Sequence, residues 1–343
     1  MKPRSAFFLL VILACLLPTT SSPAQTLQLG GKEPHSFSLI EENDLFYDPA
    51  PGKHQDRHYT QGLKAIYSQP WQDAPFSQWL PHVGISPATS NTVVWILGQS
   101  IFTPEDNRAA NLIKNDRPYA GWLYAGAALQ RRGLNARGTP VLESFDLDLG
   151  VVGPQALGEE AQNTLHSWRH LPQFEGWGHQ LKTEPDFVLK YGRAWKLGLE
   201  NDTCHFEFIP NIGTQLGTLR VSGNAGLAVR FGFNLPDDFG IQTIDSPLVI
   251  SSGPARSQFS LYLFAQAEAN VVGRNVFLDG NLYQSSPSIR KKTLVGDYLY
   301  GVGLTPCRHF ELSWSFDVRT YEFTGQQAND QFGSVALKFL WAF

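Results

Sequence analysis

Val335, Leu337, Phe339, Trp341 and Phe343 occupy every second position up to the C-terminus. A period of two puts all five on one face of a strand. That face must be covered, either by a second sheet, as on the edge strand of a soluble sandwich, or by lipid. Composition favours lipid. Charged residues make up 17% of the chain, where a soluble domain carries about a quarter. Mean hydropathy is still −0.20, so apolar residues are spread by alternation rather than gathered in blocks. A strand with one face on lipid and the other on a polar lumen needs that distribution.

The same rhythm recurs along the chain. Strand candidates fall near 36–47, 58–68, 93–102, 118–131, 142–152, 184–196, 204–215, 224–234, 259–270, 293–304, 309–322 and 332–343. They predict an all-β fold, a transmembrane antiparallel β-barrel of about twelve strands, an even number as in single-chain bacterial barrels. Lys2, Arg4, the apolar run Phe7 to Leu17 and Ser22-Pro23-Ala24 read as a signal peptide over 1–24, with the barrel over 25–343. Ile12-Leu13-Ala14-Cys15 is a weak lipoprotein box, because the apolar run continues past it. No later stretch has about 20 unbroken apolar residues, which argues against spanning helices. The net charge of −4 gives no reason to expect nucleic acid as a partner. A C-terminal Phe resembles the signal by which bacterial outer-membrane barrels are recognised for assembly, so the outer membrane is the expected location.

A meander fixes which loops share a side. With the N-terminus in the periplasm, the loops near 48–57, 103–117, 153–183, 216–223, 271–292 and 323–331 lie together outside. The connections near 69–92 and 235–258 are long for periplasmic turns. Polar motifs gather in the first three outer loops and beside them. Glu42-Asn43-Asp44 offers hard oxygen ligands for Ca²⁺, although Asn and Asp also favour turns. Thr60 opens a strand and could orient a water or a ligand. His166 lies in a polar, helix-compatible insert and could act as a general base, although a lone His is more often a packing residue. Gln162, Asn163 and His166 share a helical face, and Glu159 and Glu160 complement the helix dipole. Arg108, Lys114 and Arg117 could meet phosphates, although loop cations are usually just solvated. Cys204 and Cys307 either form a disulfide or remain two separate thiols. There is no G-x-S-x-G elbow and no H-E-x-x-H.

ENDLFY, DRHYTQGLKAIY, NDRPYAGWLY, LGVVGPQALGEEAQNTLH and GWGHQLKTEP, with NVFLDGN, VGDY and the closing RTYEFTGQ and FGSVALKF, together resemble the lipid A 3′-O-deacylase family, LpxR-type. The resemblance covers nearly the whole mature chain. It implies a twelve-stranded outer-membrane barrel, with a short helix in an extracellular loop, that removes the 3′-linked acyloxyacyl chain of lipid A in the presence of Ca²⁺. It makes His166 the base that activates water and gives Asn43, Asp44 and Thr60 to the metal shell or the water, with Asn43 and Thr60 counted as catalytic. It gives Arg108 to the substrate, and the reading of the loop cations adds Arg117 as a substrate contact. The implied substrate is lipid A or lipopolysaccharide in the outer leaflet, and the expected state is a monomer. The family also implies an acidic residue about six positions after the His. Here that stretch is Trp168-Arg169-His170-Leu171-Pro172, and the nearest acid is Glu175.

His58 competes with His166 as base, because it precedes Thr60 by two residues on the same rim; His54, His170 and His179 share that rim. Two other classes remain open. A phospholipase-type esterase of the outer membrane needs a Ser beside a His, and Ser167 adjoins His166 but points elsewhere on a helix. A non-catalytic barrel, a pore or a structural protein, is the second, and an ion-conducting lumen would favour it.

Overall fold

The computed structural model describes residues 33–46, 57–71, 84–85, 90–200, 204–251 and 258–341. The signal-peptide segment 1–24, His54 and the terminal Phe343 lie outside them. Thirteen strands are formed: β1 (His35–Asn43), β2 (His58–Pro70), β3 (Ser90–Thr103), β4 (Ala120–Leu134), β5 (Pro140–Val152), β6 (Glu184–Trp195), β7 (Leu197–Glu200), β8 (His205–Gly217), β9 (Arg220–Phe233), β10 (Ser260–Asn275), β11 (Leu294–Cys307), β12 (Phe310–Arg319) and β13 (Asp330–Trp341).

All pairings are antiparallel between neighbours, and β1 pairs with β13, which leaves no edge. β6 and β7 both pair with β8 and are parted only by Lys196, whose N–H turns to Pro140 O at 3.0 Å. They form one interrupted stave, so the barrel has the twelve staves expected from the alternation. The pleat sorts each strand. Phe37, Leu39, Trp95, Leu97, Leu147, Leu149, Phe187 and Leu189 face outward and are exposed, while Ser36, Ser38, Lys64, Asp146, Asp148 and Lys190 are buried inside. Lys190 bridges Asp146 at 3.4 Å and Asp148, which pairs charges that would be costly alone.

The long connection between β9 and β10 is no ordinary turn. Its described part, 234–251, runs up inside the barrel. Arg132 Nη2 and Lys196 Nζ each lie 3.1 Å from Asp237 Oδ1, and Arg230 pairs with Asp238. Phe239, Leu248 and Ile250 then pack against Leu142, Ala194, Ile209 and Ala228 of the wall. At the tip, Ile244 N–H donates to Glu42 Oε1 at 2.9 Å, and Ile244 O accepts from Lys64 Nζ at 3.1 Å. Asp245 Oδ2 accepts from Arg319 at 3.1 Å. This segment stoppers the lumen.

The opposite end carries the loops 104–119, 153–183, 276–293 and 320–329. The insert 153–183 holds helix α1 (Gly158–Trp168), and a one-turn helix α2 (Val276–Asp279) begins the next long loop, capped by Asn275 Oδ1 accepting from Phe277 N–H. The Cys204–Cys307 disulfide is not made: Cys307, at the end of β11, is a free, exposed thiol.

Candidate active site

Strand register builds the site. Asn43 pairs with Gln61, Gln61 with Ile101, and Ile101 with Gly121, one row across β1 to β4. The inward positions of β1 are 36, 38, 40 and 42, so Asn43 shares the outward face with Leu39. In β2 the register jumps between Tyr59 and Gln61, a β-bulge. Tyr59 points inward and donates to Glu42 Oε2 at 2.7 Å, while Thr60 lies with its Oγ1 2.7 Å from Thr103 Oγ1. The extra residue of the bulge thus turns Thr60 to the same outer surface as Asn43.

Helix α1 lies across this row. A Cβ at Gly121 would meet Ala156 Cβ at 3.1 Å and Gly158 Cα at 3.2 Å, so glycine lets the helix start close against β4. Gln99 Nε2 donates to Ala156 O at 2.7 Å. At the other end, Arg169 lies within electrostatic reach of Glu41 on β1. Eleven helical residues span about 16 Å, and three strand spacings are about 14 Å, so the lengths agree. Gly158, Gln162 and His166 form the buried face, four residues apart.

The insert is anchored beyond the helix. Gly153 has φ 93°, and a Cβ there would sit 2.5 Å from Lys182 C, so the two legs of the loop are pinched together. Ile101, Tyr119, Phe174 and Trp177 form a small core, with Ala161 of α1 packed on it. Asn281 reaches over from the loop after α2, accepting from Lys182 N–H at 2.9 Å and donating to Lys182 O at 2.8 Å.

His166 Nδ1 lies 2.6 Å from Pro172 O, and Nε2 lies 2.7 Å from Gln162 Nε2. A carbonyl can only accept, so Nδ1 carries the proton and Nε2 presents a lone pair, to which the Gln162 amide donates. Phe174 packs edge-on to the ring at 4.7 Å. The tautomer and orientation are those a general base needs. The acceptor six residues after the His is therefore a backbone carbonyl, where the family implies a carboxylate. Glu175 is exposed, with its N–H on Asn107 O at 3.4 Å.

His58 is placed otherwise. It is buried, pairs with Asp330, and has Nε2 3.5 Å from Asp116 Oδ1. Burial opposes the charge on Asp116, but hydrogen bonds from His58 and from the N–H groups of Glu105 and Arg117 outweigh it and hold this carboxyl below the usual range. Arg117 is drawn inward: Nη1 donates to Glu322 Oε2 at 3.0 Å, and the guanidinium lies 4.6 Å over the Phe102 ring. Burial would raise Glu322, but Arg117 and Arg319 keep it low. A substrate contact by Arg117 would require it to leave Glu322. Arg108 is exposed, its N–H on Asp106 Oδ1 at 3.2 Å. Ser167 is exposed and accepts from Gln173 Nε2 at 2.9 Å, away from the buried face of α1.

The donor set suits a hard cation. Asp44 follows Asn43 directly and opens a single 3-10 turn, Asp44–Phe46. Gln61 Oε1 and Gln162 Oε1 are buried and accept no hydrogen bond among the described residues. No group of three or more His, Cys, Asp or Glu among the described residues could hold a metal. One carboxylate with neutral oxygens fits a weakly held Ca²⁺ completed by water or substrate oxygens, not a tightly bound zinc. Sequence reasoning missed the Pro172 carbonyl, which no side chain announces, and the Asp116–His58–Asp330 cluster, which joins residues far apart in the chain. It placed Gln162 on the His166 face without giving it a task.

The comparisons with known proteins bear on the fold and the family. LpxR from Salmonella typhimurium superposes with a TM-score of 0.70 at 20% identity, covering 89% of this chain and 99% of that one. The β domain of the Bordetella autotransporter BrkA reaches 0.46 at 9% identity, covering 91% and 99%. No curated protein sequence matches the chain. The family model described as outer membrane protein LpxR matches residues 7–341, and the chain belongs to that family.

Proposed function

We propose that the protein is a lipid A deacylase of the bacterial outer membrane, hydrolysing the 3′-linked acyloxyacyl ester. One observation carries this reading: an oriented imidazole is buried on the wall side of a helix that crosses the row bearing Asn43, with Thr60 on the same surface, on the outside of the barrel. There an outer-leaflet lipid reaches it without entering the lumen. His166 Nε2 takes a proton from water, that water attacks the ester carbonyl, and the tetrahedral intermediate collapses by breaking the ester C–O bond as the proton passes from Nε2 to the departing sugar oxygen. The Pro172 carbonyl holds Nδ1–H and so leaves the lone pair on Nε2 before the proton is taken. Gln162 gives up its contact with Nε2 to let the water in. Asn43, Asp44 and Thr60 would hold Ca²⁺, which when bound supplies Lewis-acid stabilisation of the oxyanion. Arg108 meets a headgroup phosphate. The chain acts as a monomer, exported to the outer membrane by its signal peptide.

The pore reading loses support from the stoppered lumen, and the serine-esterase reading from the outward position of Ser167. The direct test is mass spectrometry of lipid A from cells with and without the protein. Loss of the 3′-linked acyloxyacyl mass with the wild-type chain, and not with His166→Asn, is the expected result. Unchanged lipid A with the wild-type chain sinks the proposal.

A further inference from the structure

Trp168 ends helix α1 and is 87% exposed, more than any other large hydrophobic residue described. The rest of α1 is built economically: its buried face touches the wall, and Glu159, Glu160 and Thr164 face away. An indole left out of that packing needs another environment, and its height on the barrel supplies one. Arg169, the next residue, lies within reach of Glu41. Glu41 is the outward position directly above Leu39, the last exposed apolar side chain of β1. Leu63 on β2 and Leu97 on β3 end the apolar band on the neighbouring staves. The C-terminal end of α1 therefore borders the lipid-facing band. The turn that follows is fixed, with His170 at φ 57° and Leu171 N–H donating to His166 O at 2.8 Å. Exposed Arg169 and His170 follow the indole directly. An aromatic at the hydrocarbon boundary with an arginine and a further polar ring beside it is the pattern of an interfacial anchor.

We infer that Trp168 seats in the headgroup–acyl boundary of the outer leaflet and ties the free edge of α1 to the bilayer. Helix α1 is then held on two sides, by the wall through Gly158, Gln162 and His166, and by lipid through Trp168. The inference needs the barrel to stand in a membrane but does not need the deacylase reading, and its test contains no lipid A.

The full chain and Trp168→Phe are reconstituted in phosphatidylcholine vesicles, with and without bromine on the acyl chains near the carbonyl. Subtracting the two emission spectra isolates Trp168 from the remaining tryptophans. Bromolipid should quench this difference emission, which should also lie to the blue of indole in water. Trp168→Tyr should give the same subtraction if Phe disturbs the helix. A difference emission that bromolipid leaves unchanged overturns the inference, whether the indole then stands in water or lies against protein.

Discussion

His166 and His58 lie near the same rim and have different partners, so substitution separates them. His166 faces a carbonyl and an amide, and its lone pair is its chemical asset; His58 lies between two carboxylates and is an electrostatic tie. His166→Asn should cost about 10²–10⁴-fold in deacylation rate with the barrel still folded, as expected for loss of a positioned base. Turnover should also fall in acid, as the imidazole becomes protonated. His58→Asn should leave the rate within a few-fold, because it removes a tie between Asp116 and Asp330 rather than a reacting group. Rates of the two purified variants on lipid A in detergent decide between them, and the reverse ranking would reassign the base. Chelation should abolish turnover and added Ca²⁺ restore it. Asp44→Ala should need far more Ca²⁺ for the same rate, measured as a shift in the Ca²⁺ dependence, because the donor set then loses the carboxylate of Asp44. Full activity in chelator would remove the cation from the scheme.

The insert around α1 is the element on which the site depends, and it has its own core. Trp177 is 1% exposed between Tyr119 and the start of α1. Trp177→Ala removes a fully buried indole, a change that typically costs about 3–5 kcal/mol. That cost falls on the insert, so hydrogen exchange should rise in 153–183 and deacylation should drop, while heat-modifiable migration of the barrel stays as in the wild type. Uniform loosening of the strands would show that insert and wall are one cooperative unit. At this scale much was legible in the sequence. Alternation marked all twelve staves, since a period of two survives wherever one face meets lipid. Gly153-Pro154 and the following polar run announced the helix. The break at Lys196 was not legible, because it answers an ion pair with Asp237 in a distant segment. The bulge at Thr60 was equally hidden: one extra residue in a strand alters neither composition nor pattern enough to be read. The position of α1 against the outer wall depends on Gly121, which in sequence is only a glycine in a strand.

For the whole molecule, the segment 234–251 makes the barrel a filled cylinder. The unusual length of this connection was visible in the sequence, but its direction was not, because turning inward depends on partners contributed by four separate staves: Arg132, Lys196, Arg230 and Lys338. The wild-type chain should show no steady conductance in planar bilayers. Asp237→Ala combined with Asp238→Ala removes the carboxylates that pair with those cations and should produce open-channel events, while His166 chemistry on the far side of the wall continues. Conductance in the wild type would show that the stopper leaves a path. The outward row from Asn43 to Gly121 has a kinetic corollary. A site that opens sideways to the leaflet meets its substrate by diffusion in a plane, so the relevant concentration is an area fraction. Spreading a fixed amount of substrate among inert lipids then slows the protein as surely as lowering the amount, although nothing dissolved in the water has changed.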